Sequence, residues 1–300
     1  MNKSKYKLAK DPLYGYLKLT PTPKAEDLNK FYKHSYYKLI RNGGRAPEIK
    51  RLMSRGKEMK QEKSWLAETF YSDICFALHK YSSGKRILDV GCGNGDLLDF
   101  LDKKGFKTVG IEPSGEAVRK AQSKGLSVYG TDLCSFTESR KSGKKEKYDA
   151  VLLMNVLEHV PEPLKAIKIA KKLLVKNGIL CIKVPNDFSA FQLAAEREIR
   201  KKSWWVAIPD HVNYFNFKSL FNILKSMKFN IVYSQGDFPM ELFLLMGEDY
   251  VRSPAIGRKC HQKRQNFELA LPGDLRRTLY QALATFGIGR ECFIVGRRHD

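Results

Sequence analysis

No part of this 300-residue chain is apolar for anything like the roughly 20 residues that a helix needs to cross a bilayer. Its apolar runs, such as Ala150–Met154 and Leu242–Met246, last five residues. The opening MNKSKYKLAKDPL is polar and has no apolar core of the signal-peptide kind. The six cysteines, Cys75, Cys92, Cys134, Cys181, Cys260 and Cys292, are scattered and contain no CxxC pair. That spacing excludes a zinc ribbon and provides no disulfide framework. No GxSxG is present, so the nucleophile elbow of a serine hydrolase is excluded, and there are no internal repeats or low-complexity segments. These absences lead us to expect a soluble, cytoplasmic protein with reduced thiols.

Acidic residues are also scarce: 32 against 54 lysines and arginines, for a net charge of +22. Such a charge suits an acidic partner such as nucleic acid, or simply a lysine-rich solvated surface. The lysines are spread out. The densest cluster (Arg140, Lys141, Lys144, Lys145, Lys147) falls in a loop containing serine and glycine, and no aromatic-interleaved basic stripe occurs. A solvated surface is therefore preferred, with nucleic acid kept as the alternative partner. Hydrophobic residues make up 43%, enough for a real core in one large domain with an extra lobe.

The pattern along the chain changes twice. Residues 1–80 read as a peripheral helical cap. Pro21 and Pro23 form a breaker before a helix over 25–37, and a long charged helix over 48–80 carries the stripe Trp65, Leu66, Phe70, Ile74 and Leu78. Residues 81–235 alternate strands (86–90, 108–112, 128–131, 150–154, 179–184) with helices (96–104, 116–124, 164–174). Gly105, Gly125 and Gly178 stand where left-handed helix stops are expected. Alternation of this kind implies a parallel, doubly wound α/β sheet. Further on we expect a helix over 188–202, an aromatic-rich loop over 204–217, a helix over 218–227 and a strand over 230–234. Residues 236–300 then read as an insertion of two or three helices and a closing strand over 291–297.

The most informative segment is Ile87-Leu-Asp-Val-Gly-Cys-Gly-Asn-Gly95, where a buried strand runs into three glycines at spacing two. Glycines allow a tight turn and a close backbone approach to a ligand, and the following helix presents free N–H groups. The dinucleotide fingerprint is GxGxxG, whereas Gly91, Gly93 and Gly95 make GxGxG, which disfavours a nicotinamide enzyme. Asp89, two residues ahead of the first glycine, suits an amino group or hydroxyls and suits a pyrophosphate poorly.

This DxGxGxG segment resembles the first motif of class I S-adenosylmethionine-dependent methyltransferases. Glu112 ends the second strand, 19 residues after Gly93. It stands where the family's acidic residue binds the ribose hydroxyls. Asp132-Leu133 follows the third strand, where the family's Asp meets the adenine amino group. Asn155-Val-Leu-Glu-His159-Val-Pro is similar to the post-strand segment of the ubiquinone-biosynthesis O-methyltransferase branch. The resemblance spans about residues 80–235. It implies a Rossmann-like, seven-stranded sheet and S-adenosyl-L-methionine as cofactor. It also implies cofactor contacts from Asp89, Gly91, Gly93, Gly95, Glu112, Asp132, Leu133 and Asn155.

Methyl transfer from a sulfonium needs alignment and, for a protonated nucleophile, a base. The acceptor is expected between Asn155–Val160 and the segments Pro185–Asp187 and Asp210–Asn216, because ligands lie outside the carboxyl ends of such strands. His159 and His211 are the candidate general bases. Each has a structural alternative, a helix cap for His159 and a loop brace for His211. Glu158, His159 and His211 also resemble three ligands of the divalent ion in small-RNA 2′-O-methyltransferases. Asn155 stands in place of that family's first Glu, which speaks against a metal here. Tyr32, Tyr36, Tyr37, Trp204 and Trp205 are candidates for a water-excluding lid. The expectation is a methyltransferase for a small-molecule acceptor: a sugar, a lipid precursor or a phenolic metabolite. An RNA methyltransferase and a non-catalytic cofactor-binding subunit are the alternatives.

Overall fold

A computed structural model describes residues 5–24, 26, 28, 31, 50–52, 56–139 and 146–299. Most of the expected helix over 25–37, including the tyrosines at 32, 36 and 37, and most of the basic cluster at 140–147 lie outside these residues; residues 26, 28 and 31, which are described, are helical.

At the centre is a seven-stranded sheet. In chain order its strands are β3 (Arg86–Val90), β4 (Lys107–Ile111), β5 (Val128–Tyr129), β6 (Tyr148–Met154), β7 (Leu174–Pro185), β9 (Phe229–Gln235) and β10 (Glu291–Arg298). Their order in space is β5-β4-β3-β6-β7-β10-β9. The pairs from β5 to β7 are parallel, but β10 runs antiparallel to both β7 and β9. An all-parallel sheet is thus corrected to a mixed one. A strand that returns after an insertion need not obey the crossover rule governing βαβ units.

The sheet is buried on both faces, which explains why its strands read as continuous apolar runs. Val151 and Leu153 of β6 point into one core. There they meet Ile167 and Ala170 of the helix Pro163–Leu173, and Leu220, Ile223 and Leu224 of the helix Phe217–Ser226. Ala150 and Leu152 point into the opposite core, against Ile74, Ala77 and Leu78 of the helix Ser72–Tyr81 and Leu97 and Leu101 of the helix Asp96–Lys103. The stripe read from Trp65 to Leu78 is core packing: Trp65, Ile74 and Leu78 are all buried.

Residues 1–80 are not all helical. β1 (Lys7–Lys10) and β2 (Leu17–Thr20) form a hairpin that pairs with β8 (Asn213–Tyr214), a short strand inside the expected aromatic loop. The alternation that makes this hairpin is only four residues per strand, too short to stand out against flanking lysines. Gly105 and Gly125 do take positive φ after their helices, but at the third stop Asn177 adopts it (61°) in place of Gly178. A Cβ on Gly178 would sit 3.0 Å from the Val175 carbonyl oxygen, so close approach is what requires glycine there.

The insertion holds three helices: Glu241–Leu245, Pro254–Ala270 and Gly273–Thr285. The last two dock on the helical segment 57–81 through buried polar contacts. The Trp65 indole N–H donates to Glu268 (2.8 Å), Glu62 meets His261 (2.9 Å), and Arg276 pairs with Asp73 (3.1 Å).

Candidate functional site

The strand β3 ends at Val90 and the chain turns through Gly91, Gly93 and Gly95, with φ of 73°, 54° and 73°, into the helix starting at Asp96. Left-handed backbone costs a side-chain-bearing residue about 1–2 kcal/mol, and the three glycines have further, different reasons to be there. A Cβ on Gly95 would meet Leu126 Cδ1 at 2.5 Å and Ala121 Cβ at 3.1 Å, so this glycine lets the loop close on the end of the helix Gly115–Gln122 and the residues after it. One on Gly91 would meet Val156 Cγ2 at 3.0 Å. One on Gly93 would meet no described atom within 4 Å. Gly93 therefore fronts open space, where a ligand can reach the backbone. The Gly91 N–H donates to the Ile111 carbonyl (2.8 Å) and ties the loop to β4.

Asp89 lies just behind the loop, 3% exposed, and its Oδ1 has no hydrogen-bond partner among the described residues. Burial, reinforced by the nearby Glu112 carboxylate, pushes its pKa up to about 8. A buried carboxylate without donors suits a ligand that brings an amino group. Glu112 is braced across the loop by the N–H groups of Gly93 (3.1 Å) and Ser114 (2.8 Å). Burial raises its pKa, and those two donors act against the rise.

Asp132 is exposed and caps the helix Leu133–Ser139, accepting from the N–H groups of Cys134 (2.9 Å) and Ser135 (3.0 Å) and from the Ser135 hydroxyl (2.8 Å). Burial alone would raise its pKa, but these donors outweigh it and hold the carboxyl below its usual value. Leu133 is buried at the helix start, while Asn155 is exposed past the end of β6 with φ 56°. All these residues stand at the carboxyl ends of β3, β4, β5 and β6, on one rim of the sheet.

The other half of the rim is stitched from distant segments. The Val212 and Asn213 N–H groups both donate to the Glu158 carbonyl (2.6 and 3.1 Å). The Asn213 side-chain amide donates to the carbonyls of Leu157 (3.0 Å) and Val160 (2.7 Å). The N-terminal hairpin braces the same place through the Leu19 N–H to the Val212 carbonyl (2.9 Å) and Tyr16 stacked on Phe215 (4.9 Å). These contacts bring His159 and His211 together, with ring centroids 4.9 Å apart, edge to face.

His159 Nδ1 lies 3.0 Å from the Asp210 carbonyl oxygen and 3.3 Å from Asp210 Oδ1, and its Nε2 is 3.7 Å from Glu158 Oε1. Burial works against a charged ring, but Glu158 and Asp210 outweigh it and raise His159 to about 9. Burial also lifts Glu158 to about 7, even with His159 beside it. Ligand atoms of Glu158, His159 and His211 all lie within 4.8 Å of one another, the spacing of a three-ligand ion site. A metal ion there would have to displace the proton that the two carboxylates hold on His159.

Trp205 is buried and packs edge-on against Phe188 (5.3 Å) and Trp204 (4.7 Å). The structure also adds Glu241 and Arg290, joined at 3.3 Å, which no sequence pattern marked. Both come from the insertion and its exit, where the residues have no fixed spacing to the motifs. Asp187, named in the sequence only as part of a flanking segment, is 2% exposed, and burial pushes its carboxyl far above the usual range.

Residues 64–234 match the family model described as a methyltransferase domain. The ubiquinone biosynthesis O-methyltransferase of Actinobacillus pleuropneumoniae serotype 7 (strain AP76) is 38% identical over 103 residues, covering 32% of this chain and 44% of that protein. The chain thus spans under half the length of this curated relative. Two solved structures share the fold. A SAM-dependent methyltransferase from Archaeoglobus fulgidus has a TM-score of 0.54 and 15% identity, covering 88% of this chain and all of that one. The plantazolicin methyltransferase BamL, in complex with a triazolic desmethylPZN analog and SAH, has a TM-score of 0.53 and 13% identity, covering 91% and 95%. No helix among the described residues is long and apolar enough to cross a membrane.

Proposed function

Because this chain belongs to the methyltransferase-domain family, we propose that it moves a methyl group from S-adenosylmethionine to an oxygen, nitrogen or carbon nucleophile of a small-molecule acceptor. The observation that carries this is the orphaned Asp89 oxygen behind the open face of Gly93, with Glu112 braced across the same loop. Asp89 would receive the cofactor's amino group, Glu112 its ribose hydroxyls, and Asp132 with Leu133 its adenine. Gly91, Gly93 and Gly95 would let the backbone approach, and Asn155 would border the reacting centre. When bound, the cofactor supplies a methyl group on a cationic sulfonium.

The two histidines then divide the work. His159, kept protonated by Glu158 and Asp210, is a poor base and serves to position its neighbours. His211, at the same rim, takes the proton from the acceptor nucleophile. The helical segment 57–81 and the inserted helices over 254–285, joined by the Trp65–Glu268 and Glu62–His261 contacts, act as one lobe that shields the rim from water. The named relatives point to small acceptors, one in ubiquinone biosynthesis and one acting on plantazolicin. All six cysteines are free and four are buried, which suits a reducing, cytoplasmic setting.

Titration calorimetry with S-adenosylhomocysteine tests the core of this function. Binding by the wild type and its loss in Asp89→Ala are expected. Stabilisation by NAD and none by S-adenosylhomocysteine would overturn it.

A further inference from the structure

Unmet hydrogen-bonding groups are concentrated on the acceptor half of the rim. Glu158 Oε2, Asn186 Oδ1, Asp187 Oδ2 and Glu241 Oε2 are buried and have no partner among the described residues; none of the four side chains is more than 2% exposed. Buried polar atoms are normally satisfied, so four orphaned oxygens in one region call for donors from outside the chain. They belong together in space. Asp187 is electrostatically coupled to Glu158, Glu241 and Arg290, and Glu241 is bonded to Arg290. Asn186 is the neighbour of Asp187, and its amide nitrogen is already held by the carbonyls of Gly287 and Gly289 (2.9 and 2.8 Å), which leaves only its oxygen to offer.

A fifth orphan is of the opposite kind. The Trp205 indole N–H, on a side chain nine-tenths buried, has no acceptor among the described residues, and its ring packs on Phe188, directly after Asp187. An ammonium ligand could satisfy only the oxygens. A phosphate or carboxylate could take the indole N–H but would face three buried carboxyl groups. A hydroxyl both donates and accepts. Several hydroxyls on one molecule answer the whole set, and a sugar's C–H face suits an indole surface.

We propose that the acceptor is an uncharged polyhydroxyl compound, a sugar or glycoside, held by Glu158, Asn186, Asp187, Glu241 and Trp205 and methylated on a hydroxyl. This rests on the methyl transfer proposed above. The acceptor oxygen gains the methyl carbon as the carbon–sulfur bond breaks, and its proton passes to His211. The chain's +22 charge and this rim therefore point in opposite directions, and the rim decides what is methylated.

The test is incubation of the full chain with methyl-labelled cofactor and extract of the source cells, alongside calorimetry with S-adenosylhomocysteine. The label should enter material that is uncharged at neutral pH and yields a methylated sugar on acid hydrolysis. With that product's precursor as substrate, Asp187→Asn and Glu241→Gln should each raise the acceptor KM by about tenfold or more while the S-adenosylhomocysteine Kd stays within about twofold. Two conservative variants keep the test decisive if one fails to fold. The proposal is overturned by label in nuclease-sensitive, aromatic or amine products. It is also overturned by no label at all from protein that binds S-adenosylhomocysteine, or by an unchanged KM in both variants. Failure to bind S-adenosylhomocysteine would instead reject the methyl-transfer function beneath it.

Discussion

The two halves of the rim are built by different means. On the donor half, Asp89, the glycines and Glu112 stand at the ends of adjacent parallel strands, and backbone hydrogen bonds from Gly91 to Ile111 and from Gly93 to Glu112 fix them. On the acceptor half, Glu158, Asp187, His211, Glu241 and Arg290 come from five separate stretches, held by an N-terminal hairpin, a cross-linking Asn213 and an inserted helix. The first half depends on the backbone and on residues close to it, and leaves two buried acceptors open, at Asp89 and Asn94. The second depends on side chains delivered from far apart and leaves several open. Under the proposed function, the difference teaches that the methyl donor would be recognised by strand-end geometry common to the fold, while acceptor choice would sit in the parts added to it.

Mutations on the two halves should therefore fail differently. The largest effect is expected from His211→Ala: turnover falls by about 100-fold or more while S-adenosylhomocysteine binding is unchanged, read by steady-state kinetics and calorimetry. Equal loss of both would erase the division between halves. Next is Asp89→Ala, which should weaken S-adenosylhomocysteine binding by about 100-fold, roughly 2.7 kcal/mol, because the ligand's amino group loses its buried partner. Normal affinity in this variant would remove Asp89 from the donor site.

Smaller effects separate the glycines. Gly95→Ala should cost about 2–3 kcal/mol of folding stability in denaturant titration, since its Cβ meets Leu126 at 2.5 Å in left-handed backbone. Gly93→Ala should cost only about 1 kcal/mol of stability, from backbone strain, and show its main effect in cofactor affinity. If the two variants behave alike, the open face at Gly93 is not a ligand approach.

The remaining effect concerns pH. Asp89 keeps its proton in the folded chain up to about pH 8, far above its value of 3.8 when unfolded, with Glu112, Tyr71 and Cys92 as its titratable neighbours. The folded state then binds more protons than the unfolded one, so the contribution is fully present below pH 3.8 and is lost as pH rises through 8. Without ligand, stability should fall across that window, read as a drop in Tm, and Asp89→Asn should flatten the fall. A steeper fall in the variant would show that other groups dominate.

The same contrast separates what could be read in the sequence from what could not. Asp89, the three glycines and Glu112 are legible because the chain places them within one βαβ unit, where spacing alone sets position. The doubly wound core over 86–184 was readable for the same reason: its strands are apolar on both faces and its helices are amphipathic. The hairpin over 7–20 was not, because each strand is only four residues long and its partner, Asn213–Tyr214, lies nearly 200 residues away. The antiparallel course of β10 was hidden too, since a strand's composition says nothing of its direction. Glu241 and Arg290 were invisible because they meet only in three dimensions, on either side of two helices.

The position of β10 has a consequence for how the protein comes into being on the ribosome. Residues 291–298 fill a slot between β7 and β9, strands that were finished more than 50 residues earlier. Until they emerge, the nascent sheet has an unclaimed gap one strand in from its β9 edge, with the facing edges of β7 and β9 bare. Such a chain has to wait, with apolar strand edges open to any passing strand, so its demand for chaperones should be highest in the interval before residues 291–298 emerge.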